Sequence, residues 1–256
     1  EVIDLYAAKP LNGIKSFSAF GPDAVFVCVP PADHETYMDW ALENGISFMV
    51  EQPISHKLEN LDRILAAVRE KELTVHVSNN HLFSAETAAM KAIIDSGELG
   101  RPLTAVFERG EWLPDWHPHE PYTDYYPSSR DMGGGLDAVC EMGWLRELFG
   151  AVVEAKSLCS RKSDLDIDTY DVTQFLFEFS GGVQVSMHLD MLQREYASAT
   201  KIIFEKGTLT HKVPDRKIRV FNAETRETRA IPFDDRRDDY DSMKGKGEFN
   251  FMEPMY

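Results

Sequence analysis

The sequence predicts an α/β protein in two parts: a parallel-sheet domain over residues 1–80 and an α+β domain with an open, mainly antiparallel sheet over residues 81–235, followed by a charged tail at 236–256. Between Ala24 and Ser78, short runs of β-branched residues alternate with helical stripes, the grammar of a parallel sheet with right-handed crossovers. Beyond Gly150 the stripes give way to period-two alternation punctuated by glycine, as antiparallel strands require.

The elements follow in order. "AVFVCV", Ala24 to Val29, is an unbroken apolar run, expected of a parallel strand covered on both faces, and Pro30 and Pro31 end it. Asp33 is placed to cap a helix "HETYMDWALEN", with Tyr37, Met38, Ala41 and Leu42 in one stripe and Gly45 as the stop. "ISFMV" reads as the next strand. Ser55 is then expected to open a helix carrying Leu58, Leu61, Ile64, Leu65 and Val68, and "LTVHVS" (Leu73 to Ser78) to form a third strand. Ser84 to Ser96 is an amphipathic helix stopped at Gly97, and "PLTAVFER" a strand. Gly110 to Gly135 is rich in Pro, Tyr, Trp and Gly and lacks periodicity; loops this long are usually functional or mobile. A helix from Leu136 to Phe149 follows. In "TYDVTQFLFEFSGGVQVSMHLDML", Gly181 and Gly182 are expected to supply the positive φ angles of a hairpin. Phe175, Phe177, Phe179, Val183, Val185, Met187 and Leu189 then share a core face, while Gln184, Ser186, His188 and Asp190 face away from it. "TKIIFEKGTLTH" and "KIRVFNA" continue the meander.

Composition narrows the function classes. With 256 residues, 43% apolar and 27% charged, the chain is long enough for a real hydrophobic core. A net charge of -16 without a basic stripe argues against nucleic acid and against anionic membrane surfaces. The apolar runs are strand-length and the opening "EVIDLYAAKP" lacks the regions of a signal peptide, so a cytoplasmic location is expected. Cys28, Cys140 and Cys159 are widely spaced without a CxxC pair, which suits a reducing compartment and indicates neither a disulfide framework nor a zinc site.

The strand ends "VCVPPADH" and "FMVEQP" are expected side by side at the carboxyl edge of the parallel sheet, with "VSNNH" beside them, where open α/β sheets bind ligands. Val29, Pro30, Pro31 and His34, then Glu51, Gln52 and Pro53, then Asn80 together resemble the glucose-fructose oxidoreductase, inositol dehydrogenase and rhizopine catabolism family (Gfo/Idh/MocA). The resemblance continues through "IIDSGELGRPLTAVFERGEWLPDWHP", "RDMGGGLDAVCEMGWLRELFG", "SMHLDMLQRE" and "IIFEKGTL". It implies a Rossmann-type first domain, NAD or NADP as cofactor, and oxidation or reduction of a sugar, polyol or sugar-derived substrate. It also implies a homodimer or tetramer joined through the polar face of the open sheet. Cofactor contacts fall by resemblance on Val29, Pro30, Pro31, His34, Glu51, Gln52 and Asn80, catalytic roles on Gln52, Asp137 and Cys140, and substrate contacts on Trp116, Asp137 and Glu141, with no metal. The segments "LPDW", the triple glycine and "HLDMLQR" look most like a branch tied to surface-sugar or sialic-acid-like metabolism.

Three departures stand against the family pattern. No GxGxxG occurs, and residues 1 to 20 read as the end of a second βα unit, so the first strand and its phosphate turn are expected to be missing. Gln52 stands where the family has a lysine; it donates a hydrogen bond but carries no charge. Cys140 stands at the family's acid/base histidine and Gly143 at its later aspartate, and a thiol with an unperturbed pKa of about 8.5 is a poor substitute for imidazole. An inactive or truncated member that binds a ligand or partner is therefore the alternative reading.

Several residues admit two readings. His34 either lies over a cofactor ribose or begins an exposed helix. Glu51 and Gln52 either line a crevice or simply end a strand. His117 and His119 beside Asp115 and Glu120 suggest metal less than a solvated loop, for want of a helical ligand spacing. Trp112, Trp116, Tyr122, Tyr125 and Tyr126 either stack on a sugar or pack as a lid. His188 and Asp190 suit a subunit contact, Cys140 is a reactive or an inert thiol, and Gly133 to Gly135 is a hinge rather than a phosphate loop.

Overall fold

The chain divides into two units, with the break between Ser78 and Asn79. The structure, a computed structural model, describes residues 13–116, 120–132, 134–135, 137–213 and 215–233, with the side chains of Lys15, Phe17, Asp131, Asp137, Ala138 and Val139 left out. His117, His119, Gly133 and the tail at 236–256 lie outside the described residues.

Unit 1 runs α1 (Ile14–Phe20), β1 (Ala24–Val27), α2 (His34–Asn44), β2 (Ser47–Val50), α3 (Leu61–Glu70) and β3 (Val75–Val77). The strands are parallel in the order β1-β2-β3, and Val27, Val50 and Val77 pair across them, so their carboxyl ends are flush. Val27, Met38, Ala41, Leu42, Phe48, Val50 and Ile64 form the core. Gly45 caps α2 at φ 68 as expected, whereas Asp33 makes no side-chain cap. Two expectations fail here. Helix α3 begins at Leu61, not Ser55, because the Ser55 hydroxyl donates to Glu35 (2.9 Å), and Leu58 is left exposed. Strand β1 is not covered on both faces: Phe26 is 61% exposed. Right-handed crossovers in the order β1-β2-β3 put α2 and α3 on one side, leaving the side that carries Phe26 and His76 exposed among the described residues.

Unit 2 contains α4 (Ala85–Ser96), β4 (Pro102–Gly110), α5 (Asp137–Phe149), β5 (Val152–Ser160), β6 (Val172–Phe179), β7 (Gln184–Asp190), β8 (Ala197–Phe204), β9 (Gly207–Lys212), β10 (Lys217–Asn222) and β11 (Thr228–Pro232). The sheet order is β11-β10-β9-β8-β4-β7-β6-β5. Only the β4–β7 pair is parallel, which inserts β4 between two antiparallel runs. One face, including Phe107, Phe179, Val185, Met187, Ile202 and Leu209, packs against Met90, Ile93, Trp144, Leu145 and Phe149 of α4 and α5. Phe107 meets Trp144 edge to face at 5.2 Å, an arrangement that adds about 0.5–1.5 kcal/mol to simple burial. Ser84 caps α4 by accepting from the Thr87 N–H. At the hairpin only Gly182 has a positive φ, 76°. Gly181 is needed for space instead, since a Cβ there would lie 2.7 Å from the Phe149 carbonyl oxygen.

The long loop after β4 folds into single 3-10 turns at Leu113–Asp115, Tyr122–Asp124, Tyr126–Ser128 and Arg130–Met132. Leu113 and Tyr125 bury against Leu165, Ile167 and Met191, and the Leu113 N–H donates to the Met191 carbonyl at 3.2 Å. Among the described residues no helix is long and apolar enough to cross a membrane.

Candidate functional site

In unit 1 the flush strand ends deliver two loops, Val29 to Pro31 after β1 and Glu51 to Pro53 after β2. His34, at the start of α2, lies under them. Its Nε2 is 2.7 Å from the Val29 carbonyl oxygen and its Nδ1 3.0 Å from that of Pro53, and the side chain is wholly buried. It is therefore neither an exposed helix start nor a residue lying over the surface; it is a positioning residue that ties the two loops together. Beside it, burial pushes the Cys28 thiol up, and the Glu51 charge adds to the effect.

A dinucleotide makes two demands on this edge, hydrogen-bond acceptors and donors for its ribose and amide groups and a cradle for the diphosphate. Glu51 and Gln52, both half-buried, suit the first. The second is not met among the described residues of unit 1. The first turn of α2 already holds Glu35, whose carboxyl is kept below its usual range by hydrogen bonds from Asn60 (2.8 Å) and Ser55 (2.9 Å), and a carboxylate there repels a second anion.

In unit 2, strand β4 and helix α5 bring together a buried ion pair. Ala105, Phe107 and Arg109 point to the core side of β4, so a guanidinium emerges where an apolar residue would otherwise sit. Arg109 Nη1 donates to Glu141 Oε1 at 2.9 Å, and Trp144 Nε1 donates to Glu141 Oε2 at 2.6 Å. His81 adds its Nε2 3.4 Å from Arg109 Nη1. Burial opposes the charge on Glu141, but His81, Arg109 and the Trp144 hydrogen bond outweigh it and hold the carboxyl below its usual range.

That pair borders a cleft with about 40 Å³ of water-accessible volume, within about 440 Å³ of non-atom space that includes open solvent, whose lining includes Arg109, Glu111, Trp116, Glu141, Tyr170 and Asp171. The Trp116 indole N–H is buried with no hydrogen-bond partner among the described residues. Trp112, one turn away, is instead covered by Arg194, whose guanidinium carbon is 3.5 Å from the ring centroid. Of the residues singled out in the sequence, Trp116, Gly135, Glu141 and Asp190 meet in this cleft. Cys140, half-buried, is not part of its lining. Asn80 starts a 3-10 turn and accepts from the His81 N–H. The Asp137 side chain lies outside the described residues. Arg109, Glu111, Tyr170 and Asp171 escaped the sequence reading; the signal for Arg109 was a charge on the apolar side of "TAVFERG".

A parallel βαβ unit followed by an α+β unit with an open sheet is the layout of a Rossmann-type two-domain oxidoreductase. The chain belongs to the GFO/IDH/MocA family: residues 9–79 match the profile of the oxidoreductase family with NAD-binding Rossmann fold, and residues 87–210 that of the GFO/IDH/MocA C-terminal domain. NAD(P) is the cofactor class of this family. The chain is 33% identical over 115 residues to the uncharacterised oxidoreductase YrbE of Bacillus subtilis strain 168, covering 44% of this chain and 30% of that protein. It is 32% identical over 83 residues to scyllo-inositol 2-dehydrogenase (NAD(+)) of the same organism, covering 32% and 24%. It thus spans no more than a third of these curated relatives in the aligned region. Among solved structures, an oxidoreductase from Agrobacterium radiobacter in complex with NAD+, L-tartaric acid and magnesium superposes with a TM-score of 0.75 at 16% identity, over 90% of this chain and 67% of that one. At that identity the likeness establishes the fold.

Proposed function

We propose that the chain is part of an NAD(P)-dependent oxidoreductase acting on a sugar, polyol or sugar-derived substrate, with the cleft at Arg109, Trp116 and Glu141 as its substrate surface. The observation that carries this reading is the Trp116 side chain on the lining of that cleft, its buried indole N–H having no hydrogen-bond partner among the described residues. Such a group costs about 1–3 kcal/mol until an acceptor such as a hydroxyl oxygen reaches it. The relationship to an inositol dehydrogenase supports the substrate class. Titrating the chain with NADH and NADPH by nicotinamide fluorescence, with circular dichroism to confirm folding, tests the cofactor half. Saturable binding supports the reading, and a folded chain that binds neither opposes it.

A second reading, a family member that binds ligand or partner without turnover, has its own support. Cys140 lies outside the cleft lining, and Gly143 leaves no side chain where the resemblance puts an aspartate. NADH binding without turnover of any sugar or polyol would favour it.

We further propose a homodimer or tetramer built on the open sheet face and a cytoplasmic location. That face carries exposed Leu158, Leu176 and Val106 beside acidic Glu108, Glu178 and Glu154, the last paired with Lys156 of the same strand at 2.9 Å, with Lys201, Lys212 and Arg219 on the strands toward β10. Two copies packed about a two-fold axis set acidic halves against basic ones.

A further inference from the structure

The loop that carries Trp116 is fastened to the end of β7 and to the turn that follows it. The Glu111 N–H donates to the Asp190 carbonyl and the Leu113 N–H to the Met191 carbonyl, both at 3.2 Å. Gly110 lets the two segments lie this close, since a Cβ there would collide with the Gln193 side-chain amide and the Asp190 carboxylate. Asp190 shapes the turn: its Oδ1 accepts the Leu192 and Gln193 N–H groups at 2.8 and 2.9 Å, and its Oδ2 accepts from the Gln193 side-chain amide at 2.7 Å. The turn delivers Arg194 to the face of Trp112, with the guanidinium carbon at stacking distance, 3.5 Å from the ring centroid.

Trp112 carries that contact inward. Its carbonyl accepts the Asp115 N–H at 2.8 Å and the Leu113 carbonyl accepts the Trp116 backbone N–H at 3.2 Å, so the two tryptophans flank one tight 3-10 turn. Both side chains pack against the small core of Leu113, Tyr125, Leu165, Ile167 and Met191, and Trp116 goes on to line the cleft. Its indole N–H makes no hydrogen bond among the described residues, so the ring is held by packing and by the turn it stands on. We infer that Arg194, which is not part of the cleft lining, is a positioning residue for Trp116: by stacking on Trp112 it fixes the turn, and through it the affinity of the cleft for a polyol. The inference rests on the cleft being the substrate surface proposed above, and it adds a residue that tunes that surface without touching the ligand.

The test follows the indole N–H signals of the four tryptophans of the full chain by NMR. Trp116→Phe identifies the Trp116 signal, and Trp144, whose indole donates to Glu141, is the internal control. Arg194→Met keeps an aliphatic stem and removes the guanidinium. It is expected to speed solvent exchange of the Trp116 indole hydrogen by about two- to five-fold, the scale of an exposed cation–π contact, and to leave that of Trp144 unchanged. Arg194→Lys, which keeps the charge and loses the planar stack, should fall between parent and Arg194→Met. In a Trp112→Leu background, Arg194→Met should have no further effect on Trp116. Affinity for myo-inositol, read by saturation-transfer NMR, should fall by about the same two- to five-fold in Arg194→Met while NADH affinity holds. Unchanged Trp116 exchange in Arg194→Met overturns the inference, as does equal acceleration at Trp144, the same effect with and without the Trp112 ring, or an inositol affinity equal in parent and variant. A folded parent that binds neither inositol nor NADH counts against the oxidoreductase reading instead, and the exchange rates then decide whether Arg194 positions Trp116.

Discussion

The side-chain amide of Asn79 occupies the space a side chain on Gly143 would need: a Cβ built on Gly143 falls 1.5 Å from Asn79 Nδ2. Asn79 is itself buried and fixed, its Oδ1 accepting the Leu82 N–H at 3.2 Å as the cap of a 3-10 turn. The glycine on α5 is thus a close-approach position, required by volume and not by backbone angle. Gly143→Ala is expected to cost about 1–3 kcal/mol in urea unfolding, and Gly143→Asp more. Combining Gly143→Ala with Asn79→Gly should recover part of the loss. Strict additivity of the two substitutions would show that the side chains do not compete for that space.

Glu141 is 2% exposed and Arg109 34% exposed, so removing either partner has unequal consequences. Arg109→Met leaves a buried carboxylate without its cation, expected to cost about 3–5 kcal/mol for a fully buried pair and here the low end, because water reaches the guanidinium. Replacing both, Arg109→Met with Glu141→Leu, should be milder than Arg109→Met alone. Chemical denaturation of the three variants checks the order, and a double variant as unstable as the single one would contradict it.

The same carboxylate sets a pH dependence. The folded state holds the Glu141 carboxyl below its usual range against the pull of burial. A depressed pKa stabilises the fold above the unfolded value of about 4.3 and loses that contribution as pH falls through the folded value. Unfolding free energy should therefore fall as pH drops below about 4.3, and Glu141→Gln, less stable at pH 7, should show a flatter acid limb. Parallel limbs for the two proteins would assign the acid loss to other groups.

How much of this was legible depended on burial contrast. The helices His34–Asn44 and Ala85–Ser96 end where Gly45 and Gly97 predict, because a left-handed glycine stop is written locally. Strand β5 gave no signal: most of its residues are exposed on both faces, so no apolar period forms, and β11 is alike. The start of α3 was misplaced because Ser55 had a competing partner, Glu35, distant in sequence. His34 illustrates the limit at the site. Its type and place were evident, but an imidazole facing two carbonyl oxygens is a tertiary fact. Arg109 was hidden for the opposite reason, since its partner Glu141 lies on another element 32 residues away.

The sheet face offers a direct test of assembly. Leu158 is 70% and Leu176 59% exposed, on adjacent strands of one face. If that face joins two copies, Leu158→Glu with Leu176→Glu should shift sedimentation toward the monomer by at least about ten-fold in dissociation constant, since burying even one charge without a partner costs more than about 1.4 kcal/mol. The unfolding midpoint at low protein concentration should barely change. Identical sedimentation for variant and parent would move the interface elsewhere.

The strongest test of the site assignments is to restore the family's chemistry. Gln52 ends β2 without a charge, and Cys140 is a half-buried thiol on the helix that carries Glu141. Proton transfer to or from a hydroxyl needs a group that titrates near neutrality, and general acid/base catalysis contributes about 10²–10⁴-fold when such a group is positioned. Cys140→His with Gln52→Lys should therefore raise any NAD(P)-dependent oxidation of a polyol by at least about ten-fold, with the part due to the introduced imidazole appearing as kcat and not as a change in NADH affinity. Gly143 stays untouched, because Asn79 leaves no room for the family's aspartate. A double variant that binds NADH as the parent does, yet gains no rate, would show that positions 52 and 140 do not bear the proton-transfer roles the resemblance gives them.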